Sequence, residues 1–475
     1  SLFDMKDGIA DDILMTPGQP NILRGPNGFE WWLIYMANKN NEHRGQYINR
    51  VQFFDKTLFV DGITGPRTAG YHPEPSMPTF AGKGETASFG VLQQVQPSVA
   101  YLFETGVKTE GGAGVIAWWK DADNCAYVGL DAENRSWYLR TLVGGKENKE
   151  SYALPEDFHW GVYHHLRIER NGGCLKIWLD EILAPGRHVF AEALPAEEAG
   201  VPGVFDETKS ALFEGAAYTI GFDDVHFQLS GNEELLKGDF LNDYELSFQL
   251  SGLSGQDKAG SYPVYVDKDN YVKAQFDGIT RMLEVTAVKK GKTAWKKEFP
   301  LGCLQTLYPD VKYTDFIEKG YRFAAPAWLD TLYLNRHEAG NKSEFVDDMF
   351  GKFDIEYLNG GEWHPIENKD RGIAEHPAYN YCTFTPVKAE GIRFINKEAE
   401  DLERHIYKIG VHELWKESYN FRAVRRADKL YLFVDGRELG ALDIRYPASR
   451  IGFCSEGGSP VYSGTLYYHV GQRRD

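Results

Sequence analysis

Trp119–Lys120–Asp121–Ala122–Asp123–Asn124–Cys125–Ala126–Tyr127–Val128 reads as a strand, a D-x-D-N turn and a second strand. The pattern returns as Tyr265–Val266–Asp267–Lys268–Asp269–Asn270–Tyr271–Val272, 146 residues on when counted from Asn124 to Asn270. A second pair, Leu175–Lys176–Ile177–Trp178–Leu179–Asp180 and Leu430–Tyr431–Leu432–Phe433–Val434–Asp435, is offset by 255 residues from Asp180 to Asp435. The later copy therefore holds 109 extra residues, falling between about Leu304 and Ser418. Both copies close alike, on Tyr218–Thr219–Ile220–Gly221–Phe222 and Ser449–Arg450–Ile451–Gly452–Phe453. The chain is thus expected to carry one unit twice, at 85–231 and at 232–303 plus 418–475, with a domain inserted at 304–417. Insertion at a surface hairpin is easy because the two ends of such a loop already lie close together.

Working outward, period-2 alternation and turn residues dominate, as in Leu166–Arg167–Ile168–Glu169–Arg170 and Tyr244–Glu245–Leu246–Ser247–Phe248–Gln249–Leu250. Helical patterning is confined to Phe190–Ala199 and Glu398–His405, so the chain reads as all-β. At 475 residues it exceeds what one hydrophobic core supports, and several domains are expected. A formal net charge of −17, without a basic block, argues against nucleic acid as a partner. No apolar run approaches the roughly 20 residues of a membrane span. The five cysteines (Cys125, Cys174, Cys303, Cys382 and Cys454) lie far apart without CxxC spacing, so they read as buried small apolar residues and leave the redox compartment open. The sequence starts at Ser1 with no initiator Met or signal peptide, which reads as a processed form or a fragment.

The order of strand, charged turn, long hairpin, Val-Asp-Gly hairpin and I-G-F strand in each copy resembles the concanavalin-like jelly roll of the laminin-G type. In the insertion, Trp328–Leu329–Asp330–Thr331–Leu332–Tyr333–Leu334, the Asn359–Gly360–Gly361 turn before Trp363, Phe384–Phe394 and Ile409–Leu414 resemble a discoidin β-sandwich. At the amino end, Thr16–Pro17–Gly18–Gln19–Pro20–Asn21 runs into Glu30–Ala37, and Gly45–Asp55 precedes Leu58–Phe59–Val60–Asp61–Gly62. Two hairpins of that kind make one four-stranded propeller blade. Their order resembles the last blade of the five-bladed propeller of glycoside hydrolase family 43 and its relatives. The resemblances together imply an all-β chain: a terminal propeller blade (1–84) followed by two jelly-roll sandwiches, the second interrupted by a discoidin-like one.

The family 43 resemblance implies a glycoside hydrolase whose C-terminal part this chain forms, acting on a polysaccharide or oligosaccharide in the periplasm or outside the cell. Its catalytic acid and base would lie on upstream blades of the same protein or another chain, because one blade alone leaves apolar flanks bare. The alternative is a non-catalytic carbohydrate-binding protein. Two departures stand out: Gln19 replaces the histidine usual after Pro-Gly, and Met36 follows Tyr35 where Tyr-His is common. Gln19 and Arg50 are the candidate substrate-binding residues facing the propeller funnel; the competing reading has Gln19 capping a turn and Arg50 pairing on the surface. No cofactor or metal is expected. Structural calcium on Asp121, Asp123, Asp267 and Asp269 is weighed against plain hairpin turns. His164–His165 reads as one core and one surface histidine, since neighbouring strand positions face opposite ways. Trp31–Trp32 and Trp118–Trp119 split in the same manner, and Trp363 is placed in a sandwich core. No Ser/His/Asp order, P-loop, dinucleotide fingerprint or HExxH is present.

Overall fold

A computed structural model describes residues 14–39, 43–54, 57–61, 74–82, 90–253, 257–301, 303–307, 321–335, 351, 353–367, 370–373, 379–396, 408–415 and 418–471. The chain is all-β. Four strands, β1 (Leu14–Arg24), β2 (Trp31–Lys39), β3 (His43–Phe54) and β4 (Thr57–Val60), form an antiparallel meander in the order β1-β2-β3-β4. Its β1–β2 connection is tightened by Asn27, whose Oδ1 accepts from the backbone N–H of Phe29 (2.9 Å) and Glu30 (3.1 Å).

The first repeat contributes β5 (Phe80–Gly82), β6 (Ala100–Lys108), β7 (Gly112–Asp121), β8 (Asn124–Asp131), β9 (Ser136–Val143), β10 (Lys146–Ala153), β11 (Tyr163–Asn171), β12 (Cys174–Leu179), β13 (Ile182–Leu183), β14 (Val189–Phe190), β15 (Val201–Asp206) and β16 (Leu212–Gln228). The second begins with β17 (Glu233–Leu241), β18 (Asp243–Ser251), β19 (Lys258–Asp267), β20 (Asn270–Asp277), β21 (Met282–Lys289) and β22 (Lys292–Pro300). The insertion holds β23 (Cys303–Leu307), β24 (Tyr321–Asn335), β25 (Phe353–Asn359), β26 (Glu362–Pro365), β27 (Asp370–Ile373), β28 (Tyr379–Asn396) and β29 (Lys408–Trp415). The second repeat then resumes with β30 (Ser418–Arg426), β31 (Lys429–Val434), β32 (Arg437–Asp443), β33 (Ser449–Glu456) and β34 (Val461–His469).

Each repeat packs one sheet of its own, β10-β9-β8-β7-β15 or β17-β33-β19-β20-β21-β22, against a 12-stranded sheet that the repeats share. The shared sheet is continuous because β16 serves both: Leu212–Ile220 pairs with β6, and Gly221–Gln228 pairs with β34. Gly221 sits at the handover. A Cβ there would lie 2.4 Å from the Tyr467 carbonyl oxygen, so the close crossing admits only glycine. One apolar core runs through both sandwiches, from Tyr101 and Trp118 to Phe248 and Phe453.

The repeat is copied down to single hydrogen bonds. Asp123 N–H donates to Asp121 Oδ1 (3.0 Å) as Asp269 N–H donates to Asp267 Oδ1 (2.8 Å). Tyr101 Oη donates to the Ala117 carbonyl and Tyr244 Oη to that of Pro263, both at 2.6 Å. Most telling are two buried arginines. Arg170 donates to the carbonyls of Gly172, Ser98, Pro195 and Glu198, and Arg425 to those of Ala427, Tyr446 and Pro447 and to Ser449 Oγ. Each thereby gathers several carbonyls of neighbouring loops onto one buried guanidinium.

Two local expectations are corrected. Phe190–Ala199 is a series of turns rather than a helix, since Pro195 interrupts it and Arg170 takes the carbonyls of Pro195 and Glu198; Glu398–His405 lies outside the described residues. Among the described residues the insertion forms one hydrogen-bonded sheet, β23-β29-β24-β28-β25-β26 with β27 on β28. Trp363 is half-buried beneath Arg393, whose guanidinium carbon lies 4.5 Å from the ring centre, and the insertion's core is built instead from residues such as Leu329, Ile355, Ile392 and Phe394.

At the β16 handover, burial pushes the Asp223 carboxyl up to about 6, with Glu169 and Asp224 adding to the rise and Lys176 opposing it. A raised carboxyl binds protons better in the folded state, so its contribution to stability falls as pH rises from about 4 to about 6. Asp223→Asn is expected to stabilise the protein by about 1–2 kcal/mol at pH 7 and by nothing below pH 4, as read by urea unfolding at both pH values. Arg170→Ala and Arg425→Ala should each cost at least about 3 kcal/mol in the same assay, because several buried carbonyls lose their donor.

Candidate functional site

Arg50 lies near the centre of the β1–β4 sheet, and its side chain is 2% exposed. Its guanidinium donates to Glu30 (2.5 Å), to Glu245 on β18 (2.8 Å) and to the Tyr468 hydroxyl on β34. Arg422 on β30 pairs with Asp61 (2.9 Å) and lies 3.9 Å from Glu245. Three carboxylates and two guanidinia are thus buried together on the outer face of the shared sheet. Burial raises the Glu30 and Asp61 carboxyls above the ordinary range, with Glu245 adding to the rise; Arg50 opposes it first for Glu30 and Arg422 first for Asp61. Burial alone would lower Arg50, but Glu245, Glu30 and Asp61 carry it above its ordinary value.

Apolar contacts complete the brace. Phe29 stacks on Tyr468 with ring centres 5.8 Å apart, within a small cluster containing Leu102 and Val470. Arg167 on β11 donates to the Gly28 carbonyl at 3.0 Å, which ties the β1–β2 turn to the first repeat as well. Arg50 therefore sits neither in an open funnel nor on the surface; its donors join two sheets. Gln19 is exposed on β1, at a register irregularity between Gly18 and Asn21, with φ of 51°. The structure does not bring Gln19 and Arg50 together: one lies on the rim of the small sheet and the other beneath it.

Sequence reasoning missed a second site, a cleft of about 440 Å³ on the first repeat. The core-facing row of β9 emerges there, exposure rising from Leu139 (3%) through Thr141 (8%) to Val143 (42%). Lys146, Asn148 and Glu150 on β10 share that face, by their register opposite Val143, Thr141 and Leu139. The far wall is a strap between β13 and β14. It is fixed by Trp137 Nε1–H donating to the Pro185 carbonyl (2.8 Å) and by Ile177 N–H donating to that of His188 (2.9 Å). Arg187 on the strap reaches across to Glu150 (3.1 Å), which also accepts from the Tyr152 hydroxyl (2.6 Å). Phe190 forms the floor under the Arg187 guanidinium, whose carbon is 4.5 Å from the ring centre. A visible signal existed in the run Lys146–Glu147–Asn148–Lys149–Glu150, but its partner wall at 184–193 could not be paired with it from sequence.

The remaining candidates have structural settings. His164 is buried, with Nδ1 2.7 Å from Asp180 Oδ2 and Nε2 2.6 Å from the His159 carbonyl, while His165 is more open. Trp118 and Trp32 are the buried members of their pairs. Half-buried Trp31 packs edge-on against Phe53 (5.7 Å). Cys125, Cys382 and Cys454 are buried and Cys174 half-buried; the Cys303 side chain lies outside the described residues. The D-x-D-N carboxylates hold their own turns, and no group of three or more metal-ligating side chains occurs among the described residues. Among the same residues no helix is long and apolar enough to cross a membrane.

No family model matches the sequence, and no curated protein is significantly similar to it. Among solved structures, a β-fructofuranosidase from Aspergillus kawachii complexed with glycerol is similar over 97% of this chain and 72% of its own, at 10% identity and a TM-score of 0.26. Laminin α1 domains LG4-5 from mouse match over 87% of this chain and all of their own, at 10% identity and a TM-score of 0.21. The carbohydrate-binding module CBM66 from Bacillus subtilis matches over 43% of this chain and 92% of its own, at 12% identity and a TM-score of 0.19.

Arg50→Ala would leave three buried carboxylates facing one guanidinium. It is expected to cost about 3–5 kcal/mol in chemical denaturation. Gln19→Ala, at an exposed position, should change stability by less than about 0.5 kcal/mol; equal effects of the two would contradict the bracing role.

Proposed function

We propose that this chain is the C-terminal part of a glycoside hydrolase, and that its β1–β4 sheet is one wedge of a β-propeller whose other blades carry the catalytic carboxylates. The observation that carries the reading is the state of that sheet's two faces. Leu23 (44% exposed) and Ile48 (41%) share the face that Trp32 and Arg50 occupy, while Ile22 (38%), Phe53 (47%) and Leu58 (47%) lie on the other. A four-stranded antiparallel sheet with apolar side chains bare on both faces has the character of a layer lacking its neighbours. The ion cluster that anchors it makes the wedge a fixed platform on the sandwiches rather than a hanging arm.

In this reading the sandwiches brace the propeller, and Gln19 on the rim offers an amide to a sugar hydroxyl. Hydrolysis with inversion needs an acid and a base carboxyl about 6.5–9.5 Å apart across the sugar. The surplus carboxyls buried around Arg50 do not serve, being sealed from solvent. The periplasm or cell exterior is the proposed location, where complex glycans are met. A second reading, a non-catalytic carbohydrate-binding protein, is favoured by the cleft on the first repeat, which needs no propeller.

Protein expressed from the complete reading frame should hydrolyse arabinosyl, xylosyl or galactosyl substrates, while this 475-residue chain alone should not. Absence of turnover by the complete protein on all three, with measurable glycan affinity, would select the binding reading instead.

A further inference from the structure

We infer that the cleft between the β9–β10 hairpin and the 184–193 strap is a binding site for a short, uncharged oligosaccharide. The inference rests on the cleft alone and not on the propeller.

The two repeats supply an internal comparison. By the 146-residue offset, Leu142 and Val143 correspond to Val288 and Lys289. In the second repeat that position is filled. The Tyr446 hydroxyl donates to the Val288 carbonyl at 2.8 Å and lies 3.1 Å from the Tyr271 carbonyl, and the Lys289 ammonium sits 4.8 Å from its ring centre. Tyr446 follows the seven-residue β32, which pairs along β31. In the first repeat the corresponding β13 has two residues, and the chain lifts into the strap instead. Gly186 makes the lift feasible: its φ is +86°, and a Cβ there would come within 2.8 Å of Tyr152 Cδ1. One scaffold thus closes the space with its own tyrosine in one copy and leaves it open in the other.

The lining selects the ligand class. The cleft has the size of small-molecule sites, about 300–1,000 Å³. Its polar groups come from side chains of both hydrogen-bonding senses: Thr141, Lys146, Asn148, Glu150, Arg187 and Glu192. A chain of hydroxyls, each able to donate and accept, matches such a mixture. The carboxylates of Glu147, Glu150 and Glu192 outnumber the cations of Lys146 and Arg187, which disfavours phosphate, sulfate or uronate chains. Val143, 42% exposed, offers apolar surface to the C–H face of a sugar ring, while buried Phe190 supports Arg187 from below. Arg187 is held by Glu150 before a ligand arrives, so less ordering is needed on binding.

Titration of the 475-residue chain with neutral xylo-, arabino- and galacto-oligosaccharides by isothermal calorimetry tests the assignment. At least one series should bind. Asn148→Ala and Ala193→Trp, the second obstructing the cleft as Tyr446 does in the other repeat, should each weaken binding at least about tenfold at unchanged melting temperature. Failure of every series to bind at millimolar concentration would overturn the inference, as would binding that survives both variants. Hydrolysis by the complete protein is a separate readout, so loss of the cleft assignment and loss of the hydrolase reading can be told apart.

Discussion

Burying charge is costly unless every charge is paired, and this chain buries five charged groups where its small amino-terminal sheet meets the shared sheet. The arrangement of the whole molecule depends on that junction. Glu30, Arg50 and Asp61 come from one side, Glu245 and Arg422 from the other. Arg50 pairs across the joint with Glu245 and Arg422 with Asp61, so separating the two sheets breaks both cross-sheet ion pairs. An apolar contact such as Phe29 on Tyr468 adds area but little direction, whereas the guanidinium geometry fixes how the sheets are oriented.

The second organising constraint is duplication. Two sandwiches share one sheet, one core and one strand, β16, which changes partners at a glycine. Such sharing removes two sheet edges that would otherwise lie exposed. It also lets the copies diverge where neither is needed for the joint. The β12–β15 and β31–β33 connections differ in length, and that difference decides whether a space beside the hairpin is open or filled by Tyr446.

Much of this was legible in the residues. The D-x-D-N turns at Asn124 and Asn270 announced the duplication, and alternation in β11 and β18 announced their strands. Pairing of Arg50 with Glu245 was not legible, because the partners are 195 positions apart and nothing local marks an outward-facing arginine as buried. The cleft escaped for a related reason: its walls, Lys146–Glu150 and Ala184–Ala193, are brought together only by the strap. Phe190–Ala199 carried a helical pattern that lost to Pro195 and to Arg170, a donor from another strand. In each case a long-range polar contact overrode a local signal.

The proposed propeller requires the amino-terminal sheet to be one layer of a larger closed stack. A crystal structure of the protein encoded by the complete reading frame tests this most directly. The expected result is that further four-stranded sheets cover Ile22, Ile48, Phe53 and Leu58 while Arg50 keeps Glu30 and Glu245. Those four side chains remaining in contact with solvent, with no sheet beside them, would contradict it.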